Sequence, residues 1–412
     1  MMNIQNTLPL EDDQVDDIAI EAFNHQSTIL EKAINEGIKL KNLLPNYGID
    51  YSDLIYLKNK EFTPKRPNFT FTNFVSSKKS AIPLVSFFSG AGGIDLGFEK
   101  VGFNTKIMIE HNKTFCETLR QNFKNADIIG PPTDDGDVSK TSRIIELLES
   151  KGIEKGFEGV FVGGPPCQPF SIAANQRFNK SGARFKRTGF NHETNGGLLF
   201  DYIETIPHFR PKVFLIENVP GLLDIDGGEQ LRVAYESLEK NGYFVHEPKI
   251  LEASDYGVPQ YRKRLFIIGS RDNEFNIEIP KQNIKQRCID HIFDLDSNFP
   301  NNETRQHEAL SVSRYRLIDY GKREKLGRVD RLDPLSPSKT IIAGGSGGGG
   351  RSHLHPVIPR TLSPRECARL QTFPDDFIFT GPNARQFNQI GNAVPPLLSA
   401  HIAEYVIKPI FD

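Results

Sequence analysis

The chain has 412 residues, of which 38% are hydrophobic and 25% charged, with a formal net charge of −2. That balance fits a globular protein with an ordinary core and excludes binding of a polyanion through overall basicity. No uninterrupted apolar run approaches the roughly 18 residues of a membrane span, and the start is acidic (Glu11, Asp12, Asp13, Asp16, Asp17), so neither export nor membrane insertion is expected.

Cys116, Cys167, Cys288 and Cys367 are scattered without a C-x-x-C pair, which argues against a zinc site or a disulfide framework and fits a reducing cytoplasm. No metal is expected.

Residues 1–80 read as an extension. The apolar spacing over 27–44 predicts one amphipathic helix, with Ser27 or Thr28 as N-cap. A linker containing proline and aromatic residues, 62–74, leads to the first strong strand. From 83 onward strand, turn and helix alternate: strands are predicted at 83–88, 105–109, 159–162, 213–216 and 264–268, and helices at 139–149 and 228–241. The alternation predicts an α/β fold with a mostly parallel sheet and ligands along its carboxyl edge. After about 270 the alternation fails, and the glycine run at 344–350 cannot be a regular element. At Ser363-Pro364-Arg365-Glu366 a capping box announces a helix, and 397–407 is helix-prone and apolar. The expected organisation is therefore 1–80 as a partly helical extension, 81–270 as the main domain, 271–357 as a smaller loop-rich domain, and 358–412 as a segment completing the main domain.

Between the first strand and its helix lies Phe88-Ser89-Gly90-Ala91-Gly92-Gly93, a turn whose glycines let the backbone pass close to a ligand. Glu110 ends the second strand about twenty residues later, where a carboxylate can accept from ribose hydroxyls. The turn lacks both the G-x-G-x-x-G spacing of a dinucleotide site and the G-K-[ST] of a triphosphate site. A nucleoside without phosphates fits better, and S-adenosylmethionine is such a molecule. Asp137 is either an acceptor for an adenine amino group or a helix N-cap.

The fourth candidate feature is Cys167. It follows a buried strand and two prolines, Pro165 and Pro166, that stiffen the turn. Taken together, Phe88-x-Gly90-x-Gly92-Gly93, Pro165-Pro166-Cys167-Gln168, Glu217-Asn218-Val219, Gln260-x-Arg262-x-Arg264 and Gln389-x-Gly391-Asn392-Ala393-Val394-Pro395 resemble, in this order, the DNA (cytosine-5)-methyltransferase family of bacterial restriction–modification type. The resemblance covers about 83–270 and 358–408. It implies a Rossmann-like S-adenosylmethionine-dependent domain, with a variable target-recognition domain at 271–357.

The chemistry agrees. Cytosine C5 is a poor nucleophile until a thiolate adds to C6 and makes C5 enamine-like; Cys167 supplies that thiolate. Glu217, at the end of its strand, suits protonation of N3. Arg262 is assigned to cytosine O2 and to orienting the catalytic groups, and Arg264 to supporting the carboxylate or the loop, with both side chains on one face of their strand.

The resemblance adds Val138, Pro165, Leu198, Asn392 and Val394 to the cofactor site of Phe88, Gly90, Gly92, Gly93, Glu110 and Asp137. It also places Thr340 against the backbone of the target nucleotide. S-adenosyl-L-homocysteine would be the product.

C6 is hidden in duplex DNA, so the cytosine must be flipped out. Gln168 and Ser171 are candidates for filling the vacated stack or touching DNA. The basic segment after them, with Arg177, Lys180, Arg184, Lys186 and Arg187, is expected near phosphates. Double-stranded DNA is the expected partner, with no membrane, a monomeric enzyme in a bacterial cytoplasm, and a functional pairing with a restriction endonuclease. The alternatives are a tRNA cytosine-5 methyltransferase, which typically has little recognition domain, and a non-catalytic DNA-binding regulator.

Overall fold

The computed structural model describes residues 17–67, 69–76, 81–166, 197–272, 274–296, 298–326, 328–343 and 353–412. It begins with α1 (Asp17–Glu36) and a short α2 (Leu40–Leu43). The single helix predicted over 27–44 is therefore two. Ser27 and Thr28 lie inside α1, where their hydroxyls donate back to the carbonyls of Phe23 and Asn24 instead of capping. The helix stops because Gly37 adopts φ +66° and the Ile38 amide reaches the Ala33 carbonyl at 3.0 Å, the closing bond of a glycine-capped end.

The main domain runs through β1 (Pro83–Phe87), α3 (Gly93–Lys100), β2 (Asn104–Ile109), α4 (Lys113–Asn122), β3 (Asp127–Ile129), α5 (Thr141–Ser150) and β4 (Val160–Gly163). It continues with α6 (Leu198–Phe209), β5 (Val213–Asn218), α7 (Glu229–Lys240), β6 (Phe244–Val245), β7 (Lys249–Glu252) and β8 (Lys263–Ser270). The strands lie in the order β3-β2-β1-β4-β5-β8-β6, with β7 also paired to β8. From β3 to β5 the pairs are parallel; β8 runs antiparallel to β5, β6 and β7.

Each central strand is apolar on both faces because both are covered. Leu84, Val160, Val162, Val213 and Leu215 enter one core cluster, while Val85, Phe87, Phe161, Phe214 and Ile216 enter the other. This is the period of two expected of a strand between two helical layers.

Beyond the sheet come α8 (Ile289–Ile292), α9 (Ala309–Tyr315) and a small sheet of β9 (Arg323–Glu324), β10 (Val329–Arg331) and β11 (His353–Leu354). The chain then returns through α10 (Pro364–Leu370), α11 (Asn383–Asn392) and α12 (Pro396–Ile402). The expected capping box is present: Ser363 Oγ accepts the Glu366 amide at 3.1 Å, and Glu366 Oε2 accepts the Ser363 amide at 2.7 Å. Packing of α12 on α3 requires Gly97, since a Cβ there would run into Ser399 and the Pro396 carbonyl. The carboxyl-terminal segment is thus seated beside the first turn of the sheet.

Candidate active site

The strand order reverses between β1 and β4, and a parallel sheet leaves its binding crevice at the carboxyl ends of the strands on either side of such a reversal. Phe87 is in register with Gly163, so the turns after the two strands start side by side. In the first turn Phe88, Gly90 and Gly92 have φ of 53°, 58° and 76°, a left-handed backbone that is uncommon for a phenylalanine and marks a strained loop. Gly93 is tied from the other side: a Cβ there would strike the Val394 carbonyl. The segment after α11 therefore closes directly on the turn after β1.

Glu110 leaves β2 buried at this edge. Its Oε2 accepts the Gly90 amide at 2.9 Å and its Oε1 the Asn112 amide at 2.7 Å. Burial pushes its carboxyl above the ordinary range, and those amides oppose the shift. Asp137 does not cap α5, which starts at Thr141. It closes a turn just ahead of the helix, accepting the Ser139 amide at 3.1 Å and the Ser139 hydroxyl at 2.7 Å. Val138 is buried in the core, Leu198 is half-buried at the first position of α6, and Asn392 is exposed at the end of α11 beside buried Val394.

Pro165 is buried after β4, its carbonyl 3.5 Å from Asn218 Nδ2. Cys167, Gln168, Ser171, Arg177, Lys180 and Arg184 lie outside the described residues. The other three cysteines are buried. Burial pushes the Cys116 thiol up to about 12 and raises those of Cys288 and Cys367 as well, so none of them is a ready thiolate.

Glu217, near the end of β5, faces the exit of β4: a Cβ on Gly164 would stand 3.1 Å from its Oε2. Arg264 Nε lies 2.8 Å from Glu217 Oε1, with both side chains largely covered. Burial raises the Glu217 carboxyl, and the charges of Arg264 and Arg262 offset only part of the rise. This is a carboxyl that holds a proton more readily than an exposed one.

Arg262 departs from the expected role. Its side chain is buried, and it donates to the carbonyls of Ile341 at 2.9 Å, Gly391 at 2.7 Å and Ala393 at 2.8 Å. Desolvation and the like charge of Arg264 lower its pKa well below the usual value, against the opposing charge of Glu217. Arg262 is a clamp joining three distant segments, and a contact to cytosine O2 is not what its geometry offers. Thr340 is half-buried on the same seam, its hydroxyl donating to the Tyr261 carbonyl at 2.6 Å.

Gln260 and Gln371 were not among the expected site residues. Gln260 Nε2 donates to Gln371 Oε1 at 2.9 Å, Gln260 Oε1 accepts the Ile341 amide at 2.8 Å, and Gln371 Nε2 reaches the Ile390 carbonyl at 2.6 Å. Gln260 stands in the Gln-x-Arg-x-Arg stretch, which was the available signal; Gln371 carries none.

The model of the family "C-5 cytosine-specific DNA methylase" matches residues 82–408. The chain belongs to this family. It is a DNA (cytosine-5)-methyltransferase with the mostly parallel, Rossmann-like domain of S-adenosylmethionine-dependent methyltransferases. Similar proteins include the type II methyltransferase M1.HphI of Haemophilus parahaemolyticus, 31% identical over 80% of this chain and 87% of that one. Another is the type II methyltransferase M.Eco47II of Escherichia coli, 32% identical over 79% of this chain and 78% of that one.

Among solved structures, the Schizosaccharomyces pombe Dnmt2 methyltransferase superposes with a TM-score of 0.56 at 16% identity, covering 80% of this chain and 99% of that one. A prophage-encoded protein of E. coli, described as a DNA modification methyltransferase, gives 0.62 at 24%, covering 79% of this chain and 98% of that one. Both likenesses concern the fold.

Family members use S-adenosylmethionine. The methyltransferase edge fits that molecule: the left-handed turn leaves Gly90 open, with nothing nearer to a Cβ position than the Phe88 carbonyl at 3.9 Å, and Glu110 presents a carboxylate beside it. Among the described residues no cluster of three or more His, Cys, Asp or Glu is arranged to hold a metal ion, and no helix is long and apolar enough to cross a membrane.

Proposed function

We propose that the enzyme methylates C5 of a cytosine flipped out of double-stranded DNA at a specific sequence, through a transient bond between Cys167 and C6. The observation that carries the reading is the buried Glu217–Arg264 pair, set against Gly164 on the way to Cys167. Attack of the Cys167 thiolate on C6 pushes electrons toward N3, where the Glu217 carboxyl gives up its proton or hydrogen-bonds. Arg264, the guanidinium beside Glu217, neutralises the carboxylate that results and is better placed than Arg262 to take the exocyclic oxygen O2. Bound S-adenosylmethionine supplies the electrophilic methyl group, leaving S-adenosyl-L-homocysteine. Loss of the C5 proton to a base or water then expels the thiolate and restores the aromatic ring.

Phe88, Gly90, Gly92, Gly93, Glu110, Asp137, Val138, Pro165, Leu198, Asn392 and Val394 would line or shape the cofactor pocket. Gln168, Ser171, Arg177, Lys180, Arg184 and Thr340 would meet DNA, with 271–357 reading bases in the major groove. Resemblance to type II methyltransferases supports a cytoplasmic enzyme that protects DNA from a partner restriction endonuclease.

Purified enzyme with tritiated S-adenosylmethionine should label duplex DNA, and duplex carrying 5-fluorocytosine at the target should be trapped covalently, because the fluorine cannot leave as the proton does. Cys167→Ala should abolish both while keeping cofactor binding. Labelling of tRNA in place of duplex DNA would overturn the substrate assignment.

A further inference from the structure

The family match starts at residue 82, leaving the amino-terminal helices without a role in the shared chemistry. They do not form a separate arm. Ile29, Leu30, Ala33, Leu40, Leu43, Leu44 and Leu54 share one core cluster with Ala309 and Val312 of α9. The Leu57 amide donates to the Arg316 carbonyl at 2.9 Å, and the Tyr56 hydroxyl donates to the His355 carbonyl at 2.8 Å.

Two buried arginines also tie the parts together. Arg316 is 1% exposed; its Nε donates to the Ile55 carbonyl at 2.7 Å, its Nη2 to the Phe23 carbonyl at 2.9 Å, and its guanidinium lies 3.9 Å over the Phe23 ring. Arg331 is fully buried between the rings of Tyr56 and Tyr320, at 3.5 and 3.7 Å. Its Nη1 reaches the Lys58 carbonyl at 2.7 Å and its Nη2 reaches Asn59 Oδ1 at 2.9 Å. A buried guanidinium keeps its charge, so losing those acceptors would leave it uncompensated. Residues 309–331 therefore cannot hold this packing without 23–59.

The same small domain reaches the catalytic seam. Arg331 ends β10, whose Asp330 holds Lys339 Nζ at 2.7 Å, and the Ser338 amide beside it donates to the Pro259 carbonyl at 2.9 Å, just ahead of Arg262 in the chain. Whatever fixes β10 fixes the stretch that carries Thr340.

We propose that residues 17–60 are an integral half of the DNA-reading domain: target recognition in this enzyme is assembled from two separated stretches of chain, with Arg316 and Arg331 as positioning residues. The inference rests on the proposed reading of 271–357 as the part that recognises DNA.

The test uses the full chain. Bisulfite sequencing of host DNA methylated by the wild type gives the site; a duplex bearing it and one with a single base pair changed are the probes. Leu30→Asp, which puts a charge into the shared cluster, should raise KM for the site duplex at least ~10-fold and narrow discrimination against the altered duplex, where one base pair ordinarily counts for roughly 5–150-fold. S-adenosylmethionine affinity by calorimetry should stay within about twofold, and kcat at saturating duplex within about threefold, since neither the cofactor edge nor Glu217 is touched. Arg316→Lys should move KM in the same direction by less.

Unchanged KM and discrimination in Leu30→Asp would overturn the proposal. Loss of cofactor binding together with DNA binding would also overturn it, by making the segment a support of the whole fold. A wild type that labels no duplex would instead refute the methyltransferase reading beneath it.

Discussion

Arg264 Nε stands 2.8 Å from Glu217 Oε1, joining the start of β8 to the end of β5 across an antiparallel pair of strands. Burial raises the Glu217 carboxyl and the Arg264 charge is the largest opposing influence, so the pair sets how much of Glu217 is protonated. A proton donor must carry its proton, so activity that depends on Glu217 falls as pH rises through its pKa. Glu217→Gln should lower single-turnover methylation roughly 10²–10⁴-fold with cofactor affinity unchanged. Arg264→Ala should lower kcat too, yet move the alkaline limb of the kcat profile upward, because the main force holding the carboxyl down is gone. A limb that stays in place would separate Arg264 from Glu217.

Asp95, in α3 beneath the glycine turn, is 1% exposed, and burial pushes its carboxyl up to about 7, with the Ser86 hydroxyl offsetting part of the effect. Between the ordinary carboxylate value of 3.8 and about 7 the folded chain holds a proton that the unfolded chain has lost. Stability should therefore fall as pH rises through that window and level off above it. Asp95→Asn should be more stable than wild type by up to about 4 kcal/mol at pH 8 and nearly equal to it at pH ~4. Urea melts at both pH values measure the difference, and equal slopes for the two proteins would contradict it.

Glu366 shows the opposite sign. Burial alone would raise it, but Arg360 grips it through two bonds, Nη1 to Oε2 at 2.8 Å and Nη2 to Oε1 at 2.7 Å, and the Ser363 amide adds a third. Its carboxyl is held below the usual 4.5, so the stability it contributes is present above that value and is lost as pH falls through the lower one. Arg360→Ala leaves a buried carboxylate unpaired and should cost about 3–5 kcal/mol at neutral pH. Adding Glu366→Gln should recover part of it. A double variant no better than the single one would show that the lost packing of Arg360 dominates.

Much of this arrangement was legible along the chain because its signals are local. Apolar runs marked the central strands, Ser363 and Glu366 announced their own capping box, and Glu217 could be placed at a strand end from its neighbours alone. Relations across the chain were not legible. Arg262 looked like a ligand-facing arginine because nothing in its vicinity hints that the carbonyls of Ile341, Gly391 and Ala393 will surround it, and main-chain acceptors leave no residue signature. Ser27 and Thr28 resembled caps, whereas the chain is already helical from Asp17 and Gly37 ends the helix at its other end. The bond between the amino-terminal helices and the end of α9 depends on Arg316, whose acceptors, the carbonyls of Phe23 and Ile55, lie in a distant part of the chain.

Gly93 tests the convergence of the chain ends on the cofactor edge. A methyl group there meets the Val394 carbonyl and Ala393 Cβ, both on a segment that Arg262 and Gln371 hold in place and that cannot simply retreat. Gly93→Ala should cost about 1–3 kcal/mol of stability by overpacking. It should weaken S-adenosylmethionine binding as well, because the displaced segment carries Asn392 and Val394. Gly152→Ala is the control: Gly152 has φ +80° but nothing within 4 Å of a Cβ, so it should show backbone strain of about 1–2 kcal/mol and no change in cofactor affinity. Should both variants lose stability equally while binding the cofactor like the wild type, the segment after α11 would have no part in the pocket.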